Sequence, residues 1–309
     1  MIDDVYPVYY DPLYQNDLQV GSMSNSKDKA IDMYLLFKGS VSRKDLMNHF
    51  DIATATASRA LKEYRLLAPN NMMYSTEKRV YVASRDFTPR YQHDVERVLA
   101  ILAYGEDTFV LGGDRERVMP KTPLIGPELN SENVFGLTRG FSQGNLVLIQ
   151  YSSTGEGGDE REVYVHSIFE IGNTWYFRAG EVGESEEITF KTYRFSRLIS
   201  SEIKLNGVLD VSIKEDTEWM SEVTVTLGPN PKHGRVDALR CDLGLEEHPV
   251  KNIYVKEALV GLILSGLRVD SSKEGVLNPN EYQIRLFNRE ELAAIPSMII
   301  APGFQEKER

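Results

Sequence analysis

The region that constrains the fold most strongly is residues 161–198, in which apolar and polar side chains alternate. The apolar positions are odd-numbered on both sides of a break at Gly172 and Asn173. Alternation with a period of two predicts two half-buried antiparallel strands joined by a turn. For both apolar sets to share one face, Ile171 must pair with Trp175, which predicts a three-residue loop with one residue at positive φ.

The second face of these strands carries polar and charged side chains. A third strand over 193–196 repeats the alternation and adds another arginine to that face. An arginine fork suits phosphate or nucleobase edges, and an adjacent aromatic ring can stack a base. On the residues alone, pairing with neighbouring acids such as Glu170 or Glu181 is the favoured alternative, with little energetic value at a surface. The residues of this face are Tyr164, His166, Tyr176, Arg178 and Arg194.

Length and composition indicate a soluble protein with two or three domains in 309 residues. The chain contains no apolar run near the ~20 residues that a membrane span needs. The first residues, Met1–Tyr6, lack the basic start and apolar core of a signal peptide. A single cysteine, Cys241, excludes an intramolecular disulfide framework. We therefore expect a cytoplasmic protein without membrane contact.

Charge is distributed unevenly along the chain, although the net charge of −11 argues at first against nucleic acid. Residues 26–97 contain 13 Lys and Arg against 9 Asp and Glu. The remainder of the chain contains 22 basic and 37 acidic residues. A basic segment joined to a strongly acidic remainder is typical of a DNA-binding head on a body that is kept off the duplex.

The basic segment has the pattern of a winged helix-turn-helix. Helices are predicted over 26–38, 43–50 and 54–64, with Ser42 as an N-cap, and a β-hairpin is predicted over 74–82. A short second and third helix joined by a tight turn suit insertion in the major groove. The alternative is an ordinary helical subdomain with a solvated polar face. The candidate DNA-binding residues are Arg43, Thr54, Thr56, Ser58, Arg59, Lys62, Lys78 and Arg79.

The remaining segments give weaker signals. Residues 1–25 form an acidic, tyrosine-rich arm without a clear period, and Gly112-Gly113 indicates a turn rather than a phosphate loop. Helical or strand spacing predicts helices over 91–103, 131–139 and 255–267, and strands over 146–151, 223–227 and 282–286.

The sequence argues against an enzyme. It contains no nucleophile elbow, P-loop or dinucleotide fingerprint. The five histidines show no spacing that suits a metal site, and we expect no metal and no cofactor. These histidines are His49, His93, His166, His233 and His248.

Four short motifs resemble one family. The run Trp175–Phe177, followed by Phe195–Leu198, resembles the signature of the WYL domain, a small Sm-like β-barrel of bacterial transcriptional regulators, with Phe where the signature has Leu. His166–Ile168 and Ala68–Asn71 resemble a narrower group, the WYL repressors of BREX and CBASS phage-defence islands. Val165 stands where that group usually has Pro.

The resemblance implies an α+β multidomain protein with an N-terminal winged helix-turn-helix, a central Sm-like β-barrel and a C-terminal α+β dimerisation module. The implied domains are an arm (1–25), a DNA-binding head (26–100), a helical connector (101–140), a WYL domain (141–206) and a C-terminal extension (207–309). It also assigns Tyr151 and Ser153 of the first barrel strand to a ligand site. The candidate ligand-binding residues are then Tyr151, Ser153, His166, Tyr176, Arg178, Arg194 and Arg197.

The implied function is that of a homodimeric repressor of a phage-defence locus. It would bind an inverted-repeat operator in double-stranded DNA and respond to a nucleotide or oligonucleotide effector. The alternative is a WYL accessory protein that binds RNA or single-stranded nucleic acid, or activates a partner enzyme. Because Arg178 lies on the face away from Trp175, we expect its removal to leave the fold intact and to abolish the response to effector.

Overall fold

The computed structural model describes residues 23–104, 129–153, 158–172, 174–183, 185, 187–204, 212–245 and 248–305. Most of the predicted arm, the turn at Gly112-Gly113 and the acidic turn at 154–157 lie outside these residues. The chain divides into two compact units, residues 1–93 and 94–309. No helix of the described part is long and apolar enough to cross a membrane.

The first unit contains three helices around one core. Helix α1 spans Met23–Phe37, α2 spans Arg43–Phe50 and α3 spans Thr54–Leu67. Ser42 caps α2, as the sequence predicts, and it also forms a capping box with Asp45. The buried residues of α3 recur at helical spacing, at Ala57, Ala60, Leu61 and Tyr64, and α3 continues one turn beyond its predicted end. The core is formed by Ile31, Leu35, Leu46, Ala57, Ala60, Leu61 and Tyr64, with neighbouring apolar residues.

A three-stranded antiparallel sheet completes this unit and confirms the predicted hairpin. Strands β1 (Ser40–Val41), β2 (Met72–Ser75) and β3 (Val80–Ala83) lie in the order β1-β3-β2. The tip between β2 and β3 contains Lys78 and Arg79, and Arg79 adopts a left-handed conformation with φ of 56°. Two helices followed by this hairpin form a winged helix-turn-helix.

The second unit begins with helices α4 (Val95–Tyr104) and α5 (Ser131–Gln143). A five-stranded antiparallel sheet follows, in the order β7-β6-β5-β4-β8. Its strands are β4 (Val147–Ser152), β5 (Gly158–Ile171), β6 (Thr174–Val182), β7 (Ile188–Arg194) and β8 (Leu198–Ile203).

The described strands do not form the closed barrel that the resemblance implies. β7 and β8 are the two edges of the sheet and do not pair, although one 3-10 turn over Phe195–Arg197 joins them. The β4–β8 register also shifts between Gln150 and Tyr151. Where β7 ends, the Arg194 backbone N–H donates to the Tyr151 hydroxyl at 2.9 Å. This N–H therefore bonds to a side chain and not to the backbone of a neighbouring strand.

The register of β5 and β6 corrects the predicted turn. Ile171 pairs with Thr174, which leaves a two-residue loop rather than three, with Gly172 at φ of 55°. The cause is a bulge at His166, where the register shifts between Val165 and Ser167. An extra residue in one strand moves the following side chains to the opposite face. Ile168 therefore enters the core, and the ring of Phe169 stacks on Tyr176 on the other face.

The C-terminal part of the second unit contains a mixed sheet in the order β10-β9-β12-β11, in which β11 and β12 are parallel. Strand β9 is confirmed, but the helix predicted over 255–267 begins only at Val260. Residues 251–256 form a strand because Ile253 and Val255 alternate towards the core of this sheet. The elements are α6 (Thr217–Met220), β9 (Glu222–Pro229), α7 (Val236–Asp242), β10 (Lys251–Lys256), α8 (Val260–Gly266), β11 (Val269–Asp270), β12 (Ile284–Leu286) and α9 (Arg289–Leu292), with 3-10 turns at Ile213–Glu215, Glu257–Leu259 and Pro296–Ile300.

The packing of α5 on β8 leads to a stability prediction. A Cβ atom on Gly136 would lie 2.2 Å from the backbone oxygen of Ser201, whereas a Cβ on Gly234 would meet nothing within 4 Å. We expect Gly136→Ala to lower the free energy of unfolding by about 1–3 kcal/mol, because the helix must move off the strand. Gly234→Ala is the matched control and should change it by less than ~0.5 kcal/mol. Equal stability of the two variants in urea unfolding would contradict the close approach.

Candidate nucleic-acid interface and effector site

Five cationic side chains project from the helix-turn-helix and the wing. Arg59 and Lys62 lie on α3, Arg43 begins α2, and Lys78 and Arg79 lie at the tip of the hairpin; all five are exposed. None of them forms a salt bridge within the described part of the chain. The cations therefore remain available to an external polyanion such as the DNA backbone.

Three elements contribute polar candidates to one cleft of about 260 Å³, between the start of α2, the recognition helix α3 and the wing. Arg43, Ser58 and Arg79 all line it. The hydroxyl of Thr54 lies 3.4 Å from the sulfur of Met47, and Thr56 is half-buried near the N-terminus of α3. The structure thus brings candidate residues from three elements to one surface of the head.

A buried polar network, which the sequence did not predict, ties the recognition helix to the segment that leaves the head. The carboxylate of Asp32 is fully buried and accepts from the Tyr64 hydroxyl at 2.5 Å and from the Arg90 backbone N–H at 3.1 Å. It also lies 2.9 Å from Nε2 of His93. Burial and the hydrogen bond to Asp32 raise the pKa of Tyr64, so this hydroxyl stays protonated. The guanidinium of Arg90 in turn donates to the Leu67 carbonyl at 3.1 Å.

The sheet of the second unit brings two candidate ligand residues together around a carboxylate that the sequence analysis missed. Asp216, just before α6, accepts from Arg178 Nε at 2.7 Å and from Arg178 Nη2 at 2.8 Å. It lies 3.0 Å from Nε2 of His166 and caps α6 by accepting from the Trp219 backbone N–H at 3.1 Å. Arg178 also donates to Thr192 Oγ1 at 3.2 Å and to Glu218 at 2.9 Å.

This cluster is buried and its protonation states follow from its contacts. Arg178 is only 4% exposed and Asp216 only 1%. Burial alone would raise the pKa of Asp216, but hydrogen bonds and the charge of Arg178 hold it below its usual range. Burial lowers the pKa of His166, and the bond to Asp216 opposes this only in part. The imidazole is therefore neutral at neutral pH, with its Nε2–H donating to the carboxylate.

These contacts change the expectation for Arg178. The residue does lie on the face away from Trp175, but protein carboxylates already occupy its guanidinium. Removing one partner of a buried ion pair leaves the other charge uncompensated, which destabilises a protein strongly. The sequence alternative of acid pairing named Glu170 and Glu181, whereas the partners are Asp216 and Glu218, 38 and 40 residues away.

The other ligand candidates lie apart from this cluster. Exposed Arg194 stacks over the ring of buried Tyr176 at 5.6 Å, and Arg197 is half-buried in the adjoining turn. Tyr151 lies on the opposite sheet face, where its ring contacts Tyr193 at 5.0 Å and the guanidinium of Arg161 at 5.8 Å. Half-buried Ser153 follows β4. Among the described residues, no three His, Cys, Asp or Glu side chains are grouped to hold a metal ion.

The comparison with known families assigns both ends of the chain. Residues 24–104 match the family described as the BrxR transcriptional regulator winged helix-turn-helix domain. Residues 222–292 match the BrxR transcriptional regulator C-terminal dimerization domain. The two matches, one towards each end of the chain, are to two domains of one regulator family. They are the domains of a DNA-binding transcriptional regulator and not of an enzyme, and they agree with the resemblance to WYL-type regulators of phage defence.

Curated relatives extend the similarity over most of the chain. The DNA-binding transcriptional repressor CapW of Pseudomonas aeruginosa is 28% identical over 276 residues, which is 85% of this chain and 88% of the relative. CapW of Stenotrophomonas maltophilia is 26% identical over 219 residues, covering 67% and 70%. CapW of Escherichia coli strain KTE188 is 22% identical over 273 residues, covering 86% and 89%.

A solved structure also matches the chain. The proteasome accessory factor B/C of Arthrobacter aurescens is 16% identical with a TM-score of 0.25, and the match covers 91% of this chain. The chain spans about half of that structure's length, at 46%.

The buried cluster generates a stability prediction. We expect Asp216→Asn to lower the free energy of unfolding by about 3–5 kcal/mol, because it removes the buried carboxylate that pairs with Arg178 and places an amide donor against the guanidinium. Glu218→Gln alters the half-exposed partner of the same arginine and should cost less than ~1 kcal/mol. Chemical unfolding of the two variants against wild type measures the difference. A small effect of both substitutions would show that the bidentate pair does not hold α6 to the sheet.

Proposed function

We propose that this BrxR-type chain is a DNA-binding transcriptional repressor of a phage-defence locus and that its central sheet senses a nucleotide or nucleic-acid-derived effector. The observation that carries the DNA-binding part is the group of five exposed cations on α2, α3 and the wing, two of which line the cleft between these elements. The assignment as a repressor is supported by the CapW relatives, which are named repressors. The assignment to phage defence rests on the motif resemblance.

The C-terminal dimerization domain supports a two-headed repressor on an inverted repeat. In such a dimer the recognition helices α3 enter successive major grooves, about 34–36 Å apart. Arg59 and Lys62 would face base edges and phosphate, and the wing would add contacts from Lys78 and Arg79. Effector binding would favour a dimer geometry in which the two heads no longer match the half-site spacing.

The effector would bind on the face of the sheet that carries Arg194, Tyr176 and Arg178. Arg194 is exposed and lies over the buried Tyr176 ring, so its guanidinium is open to a phosphate of the effector. Arg197 adds a second cation from the turn that follows β7. This assignment of effector residues is a proposal from residue chemistry and the motif resemblance.

A gel shift across a range of salt concentrations tests the function directly. The probes are duplex DNA from upstream of the chain's own gene, a scrambled duplex, and single-stranded RNA of the same length. We expect the upstream duplex to be favoured by at least ~10³-fold over the scrambled one, with affinity falling steeply as salt rises. Preference for the RNA would support the accessory-protein alternative and overturn the repressor.

The recognition helix gives the first operator prediction. We expect Arg59→Ala to weaken operator binding by about 1–3 kcal/mol and to relax sequence preference at one position in each half-site, because arginine reads guanine through two hydrogen bonds. Lys273→Ala, an exposed cation in the C-terminal domain, is the matched control. Unchanged affinity and preference in Arg59→Ala would remove α3 as the reading helix.

The wing gives the second operator prediction. Replacing both Lys78 and Arg79 by Ala should weaken binding to all sequences alike and reduce the slope of log affinity against log salt by about one to two units. The physical reason is that phosphate contacts release counterions without reading sequence. Affinities measured at several salt concentrations on operator and scrambled DNA check this. A loss confined to the operator would show that the wing reads bases.

A further inference from the structure

The short helix α6 (Thr217–Met220) is attached to the central sheet by the residues around it. Asp216 and Glu218 both accept from Arg178 of β6. The indole of Trp219, the next residue of α6, lies 5.4 Å from the ring of His166 and 5.5 Å from the ring of Phe169. The side chains of this turn therefore cover the same sheet face to which the effector is assigned.

The opposite side of α6 is attached to the C-terminal domain. The ammonium of Lys256, the last residue of β10, donates to the Trp219 carbonyl at 2.9 Å and lies 5.4 Å from the centre of its ring. The backbone N–H of Glu257 donates to the Ser221 carbonyl at 3.0 Å. A displacement of α6 would therefore act directly on β10, which lies within the region matched to the dimerization domain.

Charge in this cluster is unbalanced towards the negative. One guanidinium faces two carboxylates, and the pKa of His166 is lowered, so the imidazole adds no positive charge at neutral pH. A phosphate approaching Arg178 would be repelled while both carboxylates remain. The repulsion between the phosphate and the two carboxylates weakens binding, and it is smaller for charges that are exposed to water.

The two carboxylates differ in how firmly they are held. Asp216 is 1% exposed and accepts three side-chain bonds and one backbone bond. The side chain of Glu218 is 37% exposed and, among the described residues, accepts one hydrogen bond, from Nη2 of Arg178. Glu218 can leave the arginine while the Arg178–Asp216 pair stays intact, whereas loss of Asp216 would remove the bidentate partner of a buried cation.

We infer that Glu218 is an internal competitor for the effector. A terminal phosphate of the effector replaces the Glu218 carboxylate on Arg178, while Asp216 keeps its bonds to the guanidinium. Release of Glu218 shifts the α6 turn, and Trp219 transmits the shift through Lys256 to β10. The inference rests on the proposed sensing function and adds the residue that sets effector affinity.

The test uses the full-length protein and two charge-matched variants. Glu218→Gln removes the competing charge, and Glu222→Gln removes an exposed carboxylate four residues later, at the start of β9. The ligands are inorganic phosphate and a 5′-phosphorylated thymidine dinucleotide, with the 5′-hydroxyl dinucleotide as the control. Calorimetry gives affinity. Tryptophan emission reports on α6, because the chain has only two tryptophans and the other, Trp175, is buried in the sheet core.

We expect Glu218→Gln to bind the phosphorylated dinucleotide about tenfold more tightly than wild type, since a repelling partner charge is gone. Wild type and Glu222→Gln should bind alike, and the 5′-hydroxyl form should show no gain in any of them. Binding should shift the emission of wild type towards the unliganded emission of Glu218→Gln. Stronger binding of inorganic phosphate alone would identify a free anion, not a nucleotide, as the ligand that competes with Glu218.

Two results overturn the inference in distinguishable ways. If wild type binds the phosphorylated dinucleotide and releases operator DNA, but Glu218→Gln binds it no more tightly, the competitor role is wrong and sensing stands. If no variant binds either phosphate ligand and neither ligand releases operator DNA, the sensing function itself fails.

The variant Lys256→Met tests whether α6 is coupled to the C-terminal domain through Lys256. It should keep dinucleotide affinity while losing the release of operator DNA, and a normal release would remove Lys256 from the relay.

Discussion

The ion pair between Arg178 and Asp216 is the contact on which the organisation of the second unit depends. It joins β6 of the central sheet to the turn that precedes the C-terminal domain, across 38 residues of sequence. The same carboxylate caps α6 and accepts from His166. Burying charges costs solvation free energy, and only complete pairing offsets that cost. The pair therefore specifies one position of α6 more than it adds net stability.

Much of the fold was predictable because its signals are local. Ser42, which caps α2 together with Asp45, predicts where this helix begins. The spacing of Ala57, Leu61 and Tyr64 defines the buried side of α3. The bulge at His166 could not be found this way. A bulge arises from the pairing of two strands, and the alternation continues through it in sequence. The predicted turn was one residue too long for this reason.

The ion-pair partners of the candidate arginines also could not be predicted from local sequence. Sequence neighbours suggested that Arg178, Arg194 and Arg197 pair with acids such as Glu170 or Glu181, but partners in a folded chain are set by topology. Glu181 accepts from Arg161, Lys191 and the Tyr193 hydroxyl, while Arg178 is bound by acids from a distant turn. The alternation placed Arg178 and Arg194 on one sheet face, and only the structure identified which cation is paired with carboxylates and which, as at Arg194, is exposed.

Buried carboxylates recur where a segment leaves one part of the fold for another. Asp32 of α1 binds Tyr64 of α3 and the segment that leaves the head. Asp216 binds the central sheet at the point where the chain enters the C-terminal domain. A ligand can shift a conformational equilibrium only by the difference in its affinity for the two states. A site whose cation is covered in one state and open in the other supplies that difference without a large rearrangement. Effector and operator would then oppose each other reciprocally through the geometry of the same dimer.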